Sequence, residues 1–401
     1  MPSQRANDLR QLVGAAISLG AESVPPVSPA EASLTKAIDP IRPSRSTLNE
    51  LREAIESGLD PLGADFCRIY SSEERRSRGA TFTPEKIIEA MIGWAINGPT
   101  SARIIDPGSG SARFATAAGA AMPKASVIAV ELDPLSAILS RANLAARGMQ
   151  KRATVELGDY RGFSAHPIEG RTLYIGNPPY VRHHNIEPEW KRWLTATARE
   201  RGLSASQLSG LHLYFVLATA TNASPGDRGV FITSSEWLDV NYGSLMRELL
   251  LDGLGGEAIH VIAPDAEPFD DAQTTGAITC FEIASRPRSL RLKSVKNVAD
   301  LGNLKGGQRV RRERLAEARR WSPFLRTARK IPDGYVELGD ICRVHRGTVT
   351  GANRVWVIDP TDADLPSSVL FQSVTRAREL FAAGEALCSP ENLRAVVSLP
   401  P

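Results

Sequence analysis

The chain is 401 residues long, carries a formal net charge of +3 and is 23% charged, an ordinary globular composition with room for one large domain and a smaller one. So near-neutral a balance gives no vote on a nucleic-acid partner, and local runs count for more than the total. Cys67, Cys280, Cys342 and Cys388 lack CxxC spacing, which argues against a zinc site or a disulfide framework, so no metal is expected. Without a membrane-length apolar run or a signal-peptide core at the amino terminus, the expected setting is cytoplasmic, with no membrane partner.

Residues 1–47 hold "ESVPPVSPAEAS" and "DPIRPSRS" and read as a flexible Pro/Ser-rich arm. Thr47 and Glu50 have capping-box spacing ahead of a helix over "LNELREAIESG". "KIIEAMIGWAI" is helix-periodic. Seven apolar segments then read as strands: "ARIID", "SVIAVELD", "ATVEL", "TLYIG", "GVFIT", "AIHVI" and "GAITCFEI". Helical segments separate most of them, among them "PLSAILSRANLAARG", with Pro134 near its start and Gly148 at its end. Such alternation implies an α/β domain over 48–286, its mostly parallel sheet covered on both faces. Residues 287–334, which include the basic run "RVRRERLAEARR" at 309–320, read as a linker. Residues 335–401 read as the strand-rich start of a second, incomplete domain.

Open α/β sheets bind ligands beyond the carboxyl ends of their strands. The first strand ends "IIDPGSGSARF". Gly108 and Gly110 allow a tight turn and a close backbone approach, and Arg113 breaks the GxGxxG fingerprint of dinucleotide enzymes. Asp106 at that tip is a poor neighbour for a pyrophosphate and a good one for a cation. The second strand ends in Glu131, which can accept both hydroxyls of an adenosine ribose. In "ELGDY", Asp159 can accept from an adenine amino group while Tyr160 packs on the purine. A glycine turn with a core-capping tyrosine is the competing account.

The fourth strand runs into Asn177-Pro178-Pro179-Tyr180. Prolines cannot feed a ladder, and the residue before one is held extended, so the Asn177 amide is presented. An amide oxygen and a neighbouring carbonyl make two acceptors suited to one exocyclic NH2, drawing that nitrogen toward tetrahedral geometry. Tyr180 offers a face on which the ring can stack.

In the order "TFTPEKIIEAM", "DPGSGSARF", "VELDP", "GDY", "GNPPYVR", "GVFITSSEWLDVNYGSLMRELLL", "PFDDAQTTGAITCFE" and "RGTVTGANRVWVI", the chain resembles the γ-class adenine-specific DNA methyltransferases, TaqI-like and type IIG. The resemblance implies a Rossmann-like class I methyltransferase core, doubly wound around a mostly parallel seven-stranded sheet, with a short partial recognition domain after it. It implies S-adenosylmethionine as cofactor, bound by Thr81, Thr83, Asp106, Gly108, Gly110, Glu131, Asp159 and Tyr160. Asn177, Pro178, Pro179 and Tyr180 would form the catalytic motif, with Phe269 joining Tyr180 against a flipped-out adenine. Double-stranded DNA is the implied partner, with a restriction endonuclease or specificity subunit as a further one. Two other readings remain open: a release-factor glutamine methyltransferase, which shares the NPPY logic, and a catalytically idle subunit that binds cofactor and DNA.

Overall fold

The computed structural model describes residues 2–77, 83–263, 275–325, 334, 352–359, 361, 365–376, 378–379, 381 and 393–398. The chain divides into two compact units, Met1–Ala328 and Arg329–Pro401. All seven expected strands form in the first unit: β1 (Arg103–Pro107), β2 (Ser126–Glu131), β3 (Ala153–Leu157), β4 (Thr172–Gly176), β5 (Arg228–Ser234), β6 (Gly256–Ile262) and β7 (Gly276–Glu282). They are joined by β8 (Ser289–Val295) and β9 (Gln308–Arg311) in one nine-stranded sheet ordered β3-β2-β1-β4-β5-β7-β6-β8-β9. Strands β3, β2, β1, β4 and β5 run parallel, and β7 lies antiparallel between β5 and β6. This is the class I methyltransferase arrangement, extended by two strands at the β6 edge. Chain order reverses between β1 and β4, so a crevice opens beyond their carboxyl ends.

Every residue of β1 and β4 is buried, which explains the apolar middle of β1 and the uncharged run of β4. Ile104 and Leu173 face a core cluster that also contains Ile87 and Met91 of α6 (Glu85–Ile96) and Phe114 of α7 (Arg113–Ala121). Ile105 and Tyr174 face the opposite cluster, with Leu213 and Phe215 of α10 (Leu211–Asn222). Adjacent strand residues thus serve opposite layers.

Two segments differ from the sequence expectation. The first is the amino-terminal arm, which forms α1 (Pro2–Ser18), α2 (Pro29–Ile38) and the start of α3 (Arg45–Ser57). Together with α4 (Pro61–Ile69), these helices lay Leu12, Val13, Ile55 and Leu62 against Leu135 and Leu139 of α8 (Pro134–Ala146). Several of the Pro and Ser residues that suggested a loose arm, among them Ser28, Pro29 and Ser44, sit at helix starts. Ser28 and Glu31 form a full capping box for α2, and Ser44 caps α3 by accepting the Thr47 N–H at 3.1 Å. Thr47 is therefore inside α3, three residues past its cap. A buried ion pair ties this layer down: Arg141 of α8 donates to Glu31 at 2.6 and 3.0 Å and to the carbonyls of Val24 and Val155 at 2.6 and 2.7 Å.

The second difference is the linker, where β8, β9 and α12 (Arg312–Glu317) replace an extended connection. Leu290 and Leu292 are buried at alternating positions in one core cluster, with Arg291 and Lys293 half-buried between them, and Val295 is buried in the opposite cluster, so the interleaved basic residues masked the strand. The second unit contains a three-stranded antiparallel sheet of β10 (Val357–Ile358), β12 (Ala395–Val397) and β11 (Leu370–Gln372), in that order. Among the described residues, no helix is long and apolar enough to cross a membrane.

Candidate active site

The carboxyl ends of β1 to β4 open into a cavity of about 420 Å³. Of the expected site residues, Thr83, Gly108, Gly110, Glu131, Asp159, Tyr160, Asn177 and Pro179 line it. Thr81 and Phe269 lie outside the described residues.

The floor is the turn after β1. Gly108 and Gly110 both have positive φ, +70° and +57°, which a side chain would oppose. A Cβ on Gly108 would also stand 3.3 Å from the Phe215 ring and 3.4 Å from Pro179. Val130 of β2 accepts the N–H groups of Gly108 and Ser109 at 2.9 and 3.1 Å, clipping the turn to the sheet. Asp106 lies beneath it, fully buried. Its Oδ2 accepts the Ala115 N–H at 3.0 Å, while Oδ1 has no hydrogen-bond partner. Burial lifts this carboxyl to about 8, and the nearby Glu131 charge pushes the same way.

Glu131 ends β2 with its carboxylate held by three backbone donors, Gly110 at 2.7 Å and Leu132 and Asp133 at 2.9 Å. Burial nonetheless pushes it up to about 7. Asp159, after β3, is gripped by Arg161. The Arg161 backbone N–H and Nε donate to Oδ1 at 2.9 and 2.8 Å, and Nη2 approaches Oδ2 at 2.5 Å. The same guanidinium lies 3.8 Å over the Trp190 ring of α9 (Pro188–Glu200). Tyr160 presents the cavity with a wall, but its ring is committed to the core. Its hydroxyl shares a 2.9 Å hydrogen bond with Thr219, and its ring packs on Phe215 at 5.2 Å. That side chain thus both lines the cavity and caps the core.

Asn177 follows β4. Its Nδ2 donates to Thr83 Oγ1 at 3.0 Å, and its Oδ1 is buried with no hydrogen-bond partner. An orphaned buried acceptor is costly, which is what a site awaiting a donor looks like. Arg113, at the start of α7, donates to the Thr83 carbonyl and so ties this pair to the glycine turn. Pro178 is buried, and Pro179 and Tyr180 are half-buried.

Sequence reading missed Arg161, Phe215 and the contribution of α4, whose Gly63, Phe66 and Cys67 form a further wall. Arg161 had a signal, a cation two residues after Asp159. Phe215 had none, because it sits among other large apolar residues in "LHLYFVL". The basic runs are also partly structural. Arg312 donates to the Leu250 carbonyl at 3.0 Å, whereas Arg182, Arg192, Arg309 and Arg320 are exposed.

A family model described as Eco57I restriction-modification methylase matches residues 172–263, from β4 through β6 and across the Asn-Pro-Pro-Tyr turn. Type II methyltransferase M.XamI of Xanthomonas campestris pv. amaranthicola is 44% identical over 384 residues, spanning 93% of this chain and 71% of that protein. The chain belongs to the type II restriction-modification methyltransferases. Type II methyltransferase M.AccI of Acinetobacter calcoaceticus is 22% identical, over 75% of this chain and 56% of its own length. The crystal structure of the type IIG restriction endonuclease BpuSI shares the fold, with a TM-score of 0.54 and 16% identity over 78% of this chain and 43% of that one. As a type II methyltransferase, the chain thus spans little more than half of M.AccI and less than half of BpuSI.

Proposed function

We propose that the chain transfers a methyl group from S-adenosylmethionine to the exocyclic N6 amine of an adenine flipped out of double-stranded DNA. The observation that carries this reading is the Asn177 amide, whose buried Oδ1 lacks a donor at the rim of a cavity lined by Glu131 and Asp159.

The residues present suit the cofactor. Glu131 can take the ribose hydroxyls, Asp159 the adenine amino group, and the Gly108–Gly110 turn brings backbone close without a Cβ. S-adenosylmethionine supplies a methyl group already activated on a sulfonium, so the chain needs alignment and a water-poor site more than a strong base. Asn177 Oδ1 and the main-chain carbonyl of Pro178 would accept hydrogen bonds from the two N–H groups of the target amine, which sheds one proton to solvent once it carries the methyl group, and Tyr180 would stack on the extruded base. Exposed Arg182 and Arg192, close in sequence to the NPPY turn, supply phosphate contacts, which make binding salt-dependent. A DNA substrate is favoured over a release-factor glutamine by the 44% identity to a type II methyltransferase across 93% of the chain. The companion of such a methyltransferase would be an endonuclease or specificity subunit, in the cytoplasm.

Purified protein given labelled S-adenosylmethionine and either unmethylated DNA or a release factor separates the two substrates. Label in DNA, recovered as N6-methyladenine, is the expected result. Label in the protein substrate alone would overturn the reading.

A further inference from the structure

The cofactor-side turn is an unfavourable piece of backbone. Gly108, Gly110 and the non-glycine Ala112 all have positive φ, at +70°, +57° and +67°. A left-handed alanine persists only where its surroundings hold it. The restraint comes from outside the sheet. Asp60, whose side chain is 5% exposed, caps α4 by accepting the Gly63 N–H on Oδ1 at 2.9 Å. Its Oδ2 accepts the Ser111 hydroxyl and lies 4.0 Å from Arg113 Nε. Asn143 of α8 completes the clasp, donating from Nδ2 to Asp60 Oδ1 at 2.9 Å and to the Ser111 carbonyl at 2.8 Å. The fit leaves no slack: a Cβ on Gly63 would fall 2.1 Å from Asp60 Oδ2 and 2.8 Å from Ser111 Oγ. Neither Asp60 nor Asn143 lines the large cavity; both stand behind the turn that does.

We propose that Asp60 and Asn143 are positioning residues that hold the Gly108–Ala112 turn in its ligand-accepting form, making the amino-terminal helical layer a working part of cofactor binding. The cofactor named here rests on the proposed function. Disrupting the clasp lowers the population of the competent turn and so weakens binding without altering the chemistry once the site is full. With that population cut to about a tenth, the apparent dissociation constant rises about tenfold.

The test uses the full chain with Asp60→Ser, which keeps a good helix cap but has no second oxygen for Ser111, and Asn143→Ala, together with the double variant. Two quantities are read well below the melting temperature: S-adenosylmethionine affinity by titration calorimetry, and amide exchange of residues 108–113 in the ligand-free protein. The expected result is faster exchange in the turn and roughly tenfold weaker binding in each single variant, with kcat at saturation within about twofold of the parent. The double variant should be little worse than either single one, because both side chains serve one clasp. Unchanged turn exchange in folded variants would overturn the proposal, as would unchanged affinity. Failure of the parent protein to bind S-adenosylmethionine would instead strike the proposed function, and turn exchange would still decide the clasp.

Discussion

Asn177 and Thr83, 94 residues apart, are joined by a 3.0 Å hydrogen bond from the amide nitrogen of one to the hydroxyl of the other. In this orientation of the amide, Oδ1 is left buried and unpartnered. Thr83→Val keeps the shape and removes the acceptor. We expect kcat for methyl transfer to fall about tenfold, the size of effect that follows from one lost orienting hydrogen bond at a buried polar group. Thr83→Ser should retain most of the activity. Steady-state kinetics on unmethylated DNA checks both.

The buried Asp106 carboxyl gives a pH dependence of defined sign. Burial raises it from 3.8 to about 8, so the folded protein keeps a proton there that the unfolded chain gives up. Its contribution to stability is complete below pH about 4 and is lost as pH rises through about 8. The melting temperature of the ligand-free protein should therefore drop between pH 5 and 9 on the order of several degrees more than that of Asp106→Asn, which stays neutral throughout. Calorimetric melts across that range make the comparison, and parallel curves would refute it.

Glu31 and Arg141 form an ion pair in which each side chain is 1% exposed. Glu31→Ala leaves a buried guanidinium with only carbonyl partners and removes the capping box of α2. We expect a loss of about 3–5 kcal/mol in denaturant unfolding, as for other buried pairs broken on one side. A loss below about 1 kcal/mol would mean that the pair is solvated in practice.

Much of the sheet was legible because its central strands are buried on both faces, and continuous apolar runs such as "TLYIG" need no partner information to be read. Acids and glycines at strand ends were legible for the complementary reason: polar residues there interrupt otherwise apolar text. What the sequence hid was tertiary. Leu12, Val13 and Leu62 belong to a core only because α8 presents Leu135 and Leu139 to them, and α8 itself reads as an ordinary helix. β8 was hidden by the half-buried Arg291 and Lys293, which interrupt its apolar residues. At the site, Tyr160 lines the cavity while Thr219 and Phe215, about 55 to 59 residues later, hold its side chain, contacts that local spacing does not show. The Asp60–Ser111–Asn143 clasp joins three distant segments, and local spacing carries no trace of it.

The central claim is that the orphaned amide oxygen of Asn177 receives a DNA amine. The most direct measurement is nucleoside mass spectrometry of DNA treated with the parent protein and with Asn177→Ala, alongside S-adenosylmethionine affinity for both. We predict N6-methyladenine from the parent and at least about a hundredfold less from the variant, with cofactor affinity nearly unchanged, since the amide would act on the transition state rather than on binding. Methylation by Asn177→Ala at the parent rate would contradict the claim.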